Sequence, residues 1–254
     1  MSTTATLKKR PTVPNGAIRL RLADSPDRLH LKRMELFSGL PDRDIDILEG
    51  RLGMVRWPQA ADTPAALDRT DHLFLVREGR LALYQRLGAE HEVMVAILEP
   101  GSIWSTLGGI APPQLSALES SAISPLPGHA VEALITRYPR LGRNLATLLT
   151  ERCRAMSETI AMVSEMRVED RLRARLHQLA ERFGVTGRDG IQLRLELTHA
   201  QWASLVGASR EAVTTAFGRL KGQGDVVLDG RLILIPWEVV QARAATTEAA
   251  SAAR

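Results

Sequence analysis

Polar side chains between residues 198 and 221 are of the types that contact nucleic acid. Arg210 can donate two hydrogen bonds to O6 and N7 of guanine, and Glu211 can accept one from N4 of cytosine. Thr215 suits a thymine methyl group or a phosphate. The candidate phosphate contacts are Thr198, Ser209, Thr214 and Lys221. These residue types predict sequence-specific binding to double-stranded DNA.

Two helices joined by a tight turn would position these side chains. Ala203 is small where the helices would cross, and Gly207 stands where the turn requires a positive φ. Val213 falls where the second helix would dock on the core. Ser209 can cap that helix, so that the polar residues after it lie nearest the bases. The pattern predicts a helix-turn-helix, with an ordinary αα-hairpin as the alternative.

The segment over residues 225–236 favours the first interpretation. It consists of two short β runs around Asp229 and Gly230, which predicts a hairpin with a type I′ turn. A hairpin directly after a helix-turn-helix is a wing. The sequence therefore predicts a winged helix-turn-helix.

Composition narrows the class of protein. The chain has 254 residues, 44% of them hydrophobic, a formal net charge of +4 and a pI of about 9.7, which suits two soluble domains and a polyanionic partner. No apolar run approaches the roughly 20 residues of a membrane span. The start lacks the apolar core of a signal peptide, so we expect a cytoplasmic protein without a membrane partner. The single cysteine excludes an intrachain disulfide and a four-cysteine metal site.

The N-terminal half has a different pattern. Residues 1–30 lack periodicity and predict a disordered tail. A short helical segment is expected between Leu31 and about Leu52, with a start at Pro41 and Asp42. Short apolar runs between Gly and Pro turns then predict an antiparallel β structure over residues 53–128.

A long helical pattern over residues 139–166 carries two apolar stripes. The first forms a heptad seam and comprises Gly142, Ala146, Leu149, Cys153, Met156, Ile160 and Val163. The second can pack on the β domain and comprises Leu141, Leu145 and Leu148. Two stripes predict a parallel homodimer, and burial on two sides within one chain is the alternative. Cys153 is expected to act as a small hydrophobe on the seam, with a redox crosslink as the alternative.

The order of segments resembles the CRP/FNR family of bacterial transcription regulators over residues 31–240. The segments that carry the resemblance are Phe37-Ser38-Gly39-Leu40-Pro41, Val76-Arg77-Glu78-Gly79-Arg80-Leu81, Leu98-Glu99-Pro100-Gly101, Arg171-Leu172, Leu179-Ala180-Glu181-Arg182-Phe183-Gly184 and Leu205-Val206-Gly207-Ala208-Ser209-Arg210-Glu211. The family implies an α+β chain with a cyclic-nucleotide-binding-type, jelly-roll-like β-roll, a dimer helix and a winged helix-turn-helix. It also implies a homodimer on a near-palindromic site, with RNA polymerase as a further candidate partner.

The resemblance and the patterns together divide the chain. The predicted units are a disordered tail at 1–30, a β-roll at 31–138, a dimerisation helix at 139–166, a winged helix-turn-helix at 167–240 and a flexible tail at 241–254. The boundary after the long helix is a hinge at Met166 and Arg167. A further helix is expected to begin there and to stop at Gly184.

The sequence departs from the family pattern at the residues that would bind cyclic AMP. Family members that bind it carry Gly-Glu-Leu and then an Arg-Ser/Thr pair, whose glutamate holds the ribose and whose arginine holds the phosphate. Here Thr106 stands at the glutamate position, and no Lys or Arg occurs from Gly101 through Thr136. We expect the usual mode of cyclic AMP binding to be lost, because the phosphate would lack a charged partner. The candidate residues of a degenerate pocket for an unknown effector are Trp104, Ser105, Thr106 and Ser116.

Three other classes of function are compatible with parts of this sequence or excluded by it. Iron–sulfur sensors of this family need several cysteines, whereas a haem sensor could use His72, His91 or Met94 as ligands. The β-roll could instead be a protein-interaction module or a sensor of haem or another nucleotide, with DNA binding secondary. The sequence shows no nucleophile–base pair, metal cluster or phosphate loop, so we expect neither an enzyme nor a cofactor.

Overall fold

Two antiparallel sheets enclose a common core in the N-terminal part of the chain. The computed structural model describes residues 28–59, 61–87 and 91–243, without the side chains of 87, 91 and 162–165. The strands of the first sheet, in spatial order, are β1 (Val55–Trp57), β7 (Ser121–Pro127), β2 (His72–Glu78) and β5 (Ile103–Ser105). Those of the second are β4 (His91–Leu98), β3 (Leu81–Leu87) and β6 (Gln114–Ala117). The predicted antiparallel β structure is confirmed.

Apolar side chains fill the space between these two sheets. Trp57, Phe74 and Trp104 from the first sheet pack against leucines of the second. The rings of Phe74 and Trp104 stack with their centroids 4.7 Å apart. Aromatic burial of this kind contributes strongly to a core, and it leaves the roll interior occupied by the chain's own side chains.

Two short helices flank the roll. α1 (Asp42–Arg51) begins after Pro41, as predicted, because the fixed φ of proline suits the position before a first helical turn. α2 (Gly128–Arg137) was not predicted. It follows β7 without a polar linker, so the sequence gives no signal that separates the end of the strand from the start of the helix.

Residues 28–30, which the sequence analysis assigned to the tail, lie against the roll. The Leu29 N–H donates to the Arg77 carbonyl at 2.9 Å, and Arg77 Nε donates back to the Leu29 carbonyl at 2.7 Å. The buried Arg77 guanidinium also pairs with the Glu49 carboxylate. The rest of the predicted tail, residues 1–27, lies outside the described residues, as do residues 244–254 at the other end.

The long helix and the break after it lie where the sequence places them. α3 spans Pro139–Glu165, and α4 spans Val168–Phe183 with Arg167 as its N-cap. Leu141 is fully buried against the roll, with Leu145 and Leu148 partly buried beside it. The stripe predicted to pack on the β domain therefore does so.

The C-terminal part combines α4 with two more helices and a third sheet. The added elements are α5 (His199–Val206), α6 (Arg210–Gln223), β8 (Gly184–Thr186), β9 (Gly190–Leu193), β10 (Val227–Asp229) and β11 (Leu232–Pro236), with sheet order β10-β11-β9-β8. Residues 237–243 are helical as far as the described chain extends. The β8–β9 hairpin was not predicted.

Gly184 ends α4, as predicted. Its φ is −77°, which any residue can adopt. A Cβ there would lie 2.2 Å from the Ala180 carbonyl oxygen and 2.3 Å from a methyl carbon of Ile191. Glycine is needed because β9 passes too close for a side chain.

The C-terminal part rests on the roll through α5. Ser204 Oγ donates to the Glu92 carbonyl of β4 at 2.7 Å, and Arg182 of α4 pairs with Glu99 just after β4. Met94 of β4 is buried in the same apolar cluster as Leu205 of α5. No helix among the described residues combines the length and apolar character that crossing a bilayer requires.

Candidate nucleic-acid interface

The turn between α5 and α6 has the geometry that the sequence predicts. Gly207 ends α5 in the left-handed region, at φ 63° and ψ 51°. The next N–H, of Ala208, donates to the Ala203 carbonyl at 3.0 Å and closes the helix end. Ala203 is buried where the helices meet. Thr198 caps the start of α5 in a capping box with Gln201.

α6 presents a polar first turn and buries its opposite face. Ser209 caps it, as predicted, and its Oγ accepts a hydrogen bond from the Ala212 N–H at 3.1 Å. The buried residues of α6 are Val213, Ala216, Phe217 and Leu220. Arg210, Glu211 and Thr215 are exposed. The helix therefore offers its N-terminal turn and one long side to solvent.

Hydroxyl protons on this surface are already in use at three of the predicted contacts. Thr214 donates to the Arg210 carbonyl at 2.9 Å, and Thr215 donates to the Glu211 carbonyl at 3.0 Å. Thr198 donates to Gln201 Oε1 at 3.0 Å. A hydroxyl has a single proton, and a phosphate oxygen can only accept. Of the four predicted phosphate contacts, the Ser209 hydroxyl and the exposed Lys221 ammonium are better placed to donate.

His199 supports α6 from α5. Its ring stacks on Phe217 with centroids 5.3 Å apart, and its Nδ1 lies 2.9 Å from Thr214 Oγ1. Trp202 meets the same phenylalanine edge-on. His199 belongs to none of the motifs in the sequence, and only the fold shows that it supports the predicted recognition helix.

Cations flank α6 on both sides, and sequence reasoning missed three of them. A cleft of about 300 Å³ between α6 and the β10–β11 hairpin is lined by Arg210 and by Arg231 at the hairpin tip. A second cleft, of about 420 Å³, lies on the α4 side and is lined by Arg167, Arg219 and Thr215. A basic residue at the tip of a predicted wing was the available signal for Arg231.

The hairpin forms as predicted, but its turn differs. Asp229 pairs with Leu232, so the loop consists of Gly230 and Arg231. Gly230 has φ 59°, whereas Arg231 does not have a positive φ. A type I′ turn needs positive φ at both positions, so that prediction was wrong. A single glycine at the first loop position is enough to reverse this chain.

α4 is tied to the far end of α6 by a charged cluster. Arg173 Nε donates to Asp225 at 2.9 Å, and the same guanidinium donates to Gln223 at 2.9 Å. Arg173 also pairs with Glu169 and Asp170 of its own helix. Behind this cluster, burial and, to a smaller extent, nearby Arg243 lower the pKa of His177 to about 4.

The predicted seam on α3 is exposed in the single chain. Leu149, Met156 and Ile160 are 46%, 43% and 67% exposed. Ala146 and the free thiol of Cys153 lie exposed on the same helix. The side chain of Val163 lies outside the described residues.

The predicted effector residues do not converge on one space. Trp104 is buried between the sheets, whereas Ser116 alternates with two core residues of β6, Leu115 and Ala117, and so faces away from that core. Thr106 is fully buried and its hydroxyl donates to the Arg69 carbonyl at 2.8 Å. Ser105 Oγ accepts from the Leu107 N–H at 3.0 Å.

The candidate haem ligands are also apart. His72 stacks on Phe74 of the core between the sheets, and its Nδ1 lies 2.8 Å from the Thr70 carbonyl. Met94 is buried in the cluster shared with α5. The side chain of His91 lies outside the described residues.

The same architecture and the same helix-turn-helix occur in known proteins. Residues 170–239 match a family model described as a Crp-like helix-turn-helix domain. The chain is also 28% identical over 210 residues to a CRP-like cAMP-activated global transcriptional regulator of Mycobacterium tuberculosis, which covers 81% of this chain and 93% of that protein. The chain is thus similar over most of its length to regulators of the CRP/FNR type, and its C-terminal part matches their helix-turn-helix domain. It is a DNA-binding transcription regulator.

Solved structures of two other proteins share the fold. A CooA mutant from Carboxydothermus hydrogenoformans superposes with a TM-score of 0.65 at 23% identity and covers 85% of this chain and 94% of its own. The c-di-GMP responsive global regulator CLP of Xanthomonas campestris gives a TM-score of 0.66 at 17% identity, with coverages of 77% and 99%. The effectors in these names differ, cAMP for the mycobacterial protein and c-di-GMP for the Xanthomonas one.

Proposed function

We propose that this chain acts as a homodimer on a near-palindromic promoter site, with α6 of each protomer in a major groove. The observation that carries this proposal is the capped first turn of α6, which holds Arg210 and Glu211 exposed at its end. Arg210 reads a guanine edge and Glu211 a cytosine amine. Arg231 and Lys221 bind backbone phosphates, and RNA polymerase is the partner that activation would add.

The α3 seam supports the dimer. Its exposed apolar side chains recur at heptad spacing, and a second copy of the helix would bury them. A two-fold dimer presents two α6 helices to successive major grooves about 34 Å apart, which is why the site is expected to be an inverted repeat. We infer that the chain works by binding rather than by catalysis, and in the cytoplasm, where promoter DNA is available.

Fluorescence anisotropy on a selected duplex tests the DNA-binding proposal. Arg210→Ala should cost about 1–3 kcal/mol and relax preference at one base pair. Arg143→Ala, on the exposed side of α3, is the matched control that also removes one positive charge. Equal affinities of wild type and Arg210→Ala over a salt series would contradict the assignment of α6.

We also propose that cyclic AMP does not control this protein by the family's usual mode. The buried, hydrogen-bonded Thr106 supports this, because it offers no carboxylate to a ribose and no freedom to move toward one. Calorimetry should detect no tight, saturable binding of cyclic AMP to the purified dimer. Such binding would overturn the proposal.

A further inference from the structure

A cavity of about 570 Å³ lies where the three parts of the chain meet. Its walls come from residues 29–35, from β4 and the turn after it, from the middle of α3, and from α4 and α5. It is distinct from the core between the sheets, which Trp57, Phe74 and Trp104 fill. A volume of several hundred cubic ångströms accommodates a small organic molecule.

Four arginines line this cavity: the exposed Arg33, Arg152 of α3, and Arg175 and Arg182 of α4. Arg182 is paired with Glu99 at the cavity edge. Arg175 donates to Gln178 Oε1 at 2.9 Å and to Thr159 Oγ1 at 2.7 Å, both uncharged. Its Nε is buried and has no hydrogen-bond partner among the described residues.

Among the described side chains, none compensates the charge of Arg152 or Arg175. Within the described ranges 28–59, 61–87 and 91–243, neither has a carboxylate within ion-pair distance. Burial lowers the pKa of both guanidinium groups, and the nearby Arg182 lowers that of Arg152 further. A desolvated cation without a counter-charge is costly, and an anion held beside it removes that cost.

The remaining walls suit an organic molecule rather than a bare ion. Leu148, Leu179 and Leu205 contribute apolar surface. Glu35 and Glu151 also line the cavity, but both are exposed and can turn toward water. The interior therefore combines apolar contact with two uncompensated guanidinium groups.

We propose that this cavity is a binding site for a small organic phosphate carrying two or more negative charges. The planar guanidinium groups of Arg152 and Arg175 match phosphate oxygens in paired hydrogen bonds. Such a ligand would join α3 to α4 across the break at Met166 and Arg167, and so would set how the winged domain sits on the dimer helix. Binding itself does not depend on the proposed promoter function, whereas this effector role rests on it.

Calorimetry of the full chain with inorganic pyrophosphate, at ionic strength balanced with chloride, tests the site. Wild type should bind saturably with one site per chain. Arg152→Gln and Arg175→Gln should each weaken binding roughly tenfold or more, because each removes a charge-assisted contact. Arg143→Gln is the matched control and should bind like wild type.

The two variants differ in how much they can disturb the fold. Arg175 holds Thr159 and Gln178, so its replacement can disturb packing, whereas no described side chain is hydrogen-bonded to Arg152. Circular dichroism should show Arg152→Gln folded. Absence of saturable binding by wild type, or equal affinities of wild type and folded Arg152→Gln, would overturn the site. Pyrophosphate held at the DNA surface instead would give that second result.

DNA affinity measured with and without pyrophosphate separates the two proposals. A change in affinity for the selected duplex in wild type, absent in Arg152→Gln, supports the effector role. Intact pyrophosphate binding by a protein that binds no DNA would support the site and contradict the promoter function.

Discussion

The threonine hydroxyls on α6 donate their protons to backbone carbonyls and so cannot donate them to DNA. Thr215 donates its only proton to the Glu211 carbonyl, which leaves its methyl group as the part that faces the groove. The sequence left a thymine methyl and a phosphate equally open for this residue. The hydrogen bond favours the methyl contact, because phosphate oxygens need a donor.

Thr215→Val and Thr215→Ala separate these two contacts. Valine keeps the methyl group and should retain affinity and base preference, whereas alanine should lose about 0.8 kcal/mol of preference at one base pair. Competition anisotropy with duplexes that differ only at that pair measures both. A phosphate contact would instead make valine as weak as alanine.

His177 gives the fold a pH dependence. Its pKa in the folded chain, about 4, lies below the ordinary 6.5, because burial penalises the imidazolium. As the pH falls, the unfolded chain takes up this proton first, so the stability present above pH 6.5 declines toward pH 4 by about 3 kcal/mol. Urea unfolding at several pH values should show this decline in wild type but not in His177→Gln. Parallel pH profiles of the two proteins would contradict it.

Two glycines on neighbouring elements should respond to alanine with opposite signs. Gly207 occupies the left-handed region, so Gly207→Ala should cost about 1–2 kcal/mol of unfolding free energy. Gly218 lies inside α6 with open space around its Cβ position. Gly218→Ala should stabilise by about 0.5–1 kcal/mol through helix propensity. If Gly207→Ala left the unfolding free energy unchanged, the turn geometry would be misassigned. If Gly218→Ala destabilised the protein, the space around its Cβ position would be misassigned.

Local signals decide which elements the sequence predicts. The α5–α6 pair was predictable because Ser209 and Gly207 each perform a local task at a helix end. The β8–β9 hairpin was not, since its strands are short and β9 gains its second partner from β11, which lies some 40 residues away in sequence. The contacts of His199 and Arg175 depend on how helices pack against one another. The spacing of residues in the sequence does not predict that packing.

At the scale of the whole molecule, the seam on α3 should decide the oligomeric state. Ile160→Glu places a charge on a face that a second α3 would cover, so it should shift the protein to monomer at micromolar concentration. Ile47→Glu, on α1, changes an isoleucine that is 44% exposed away from the seam and should leave the dimer intact. Sedimentation velocity distinguishes the two. A dimeric Ile160→Glu would place the interface elsewhere.

The central claim is that two α6 helices read two related half-sites. Selection from a pool of random duplexes, with the full chain in the absence and presence of pyrophosphate, tests it most directly. We predict enrichment of an inverted repeat whose half-sites are centred about 10 base pairs apart, with a guanine whose enrichment Arg210→Ala abolishes. Sequence-blind recovery under both conditions, or enrichment of a site without two-fold symmetry, would contradict the account.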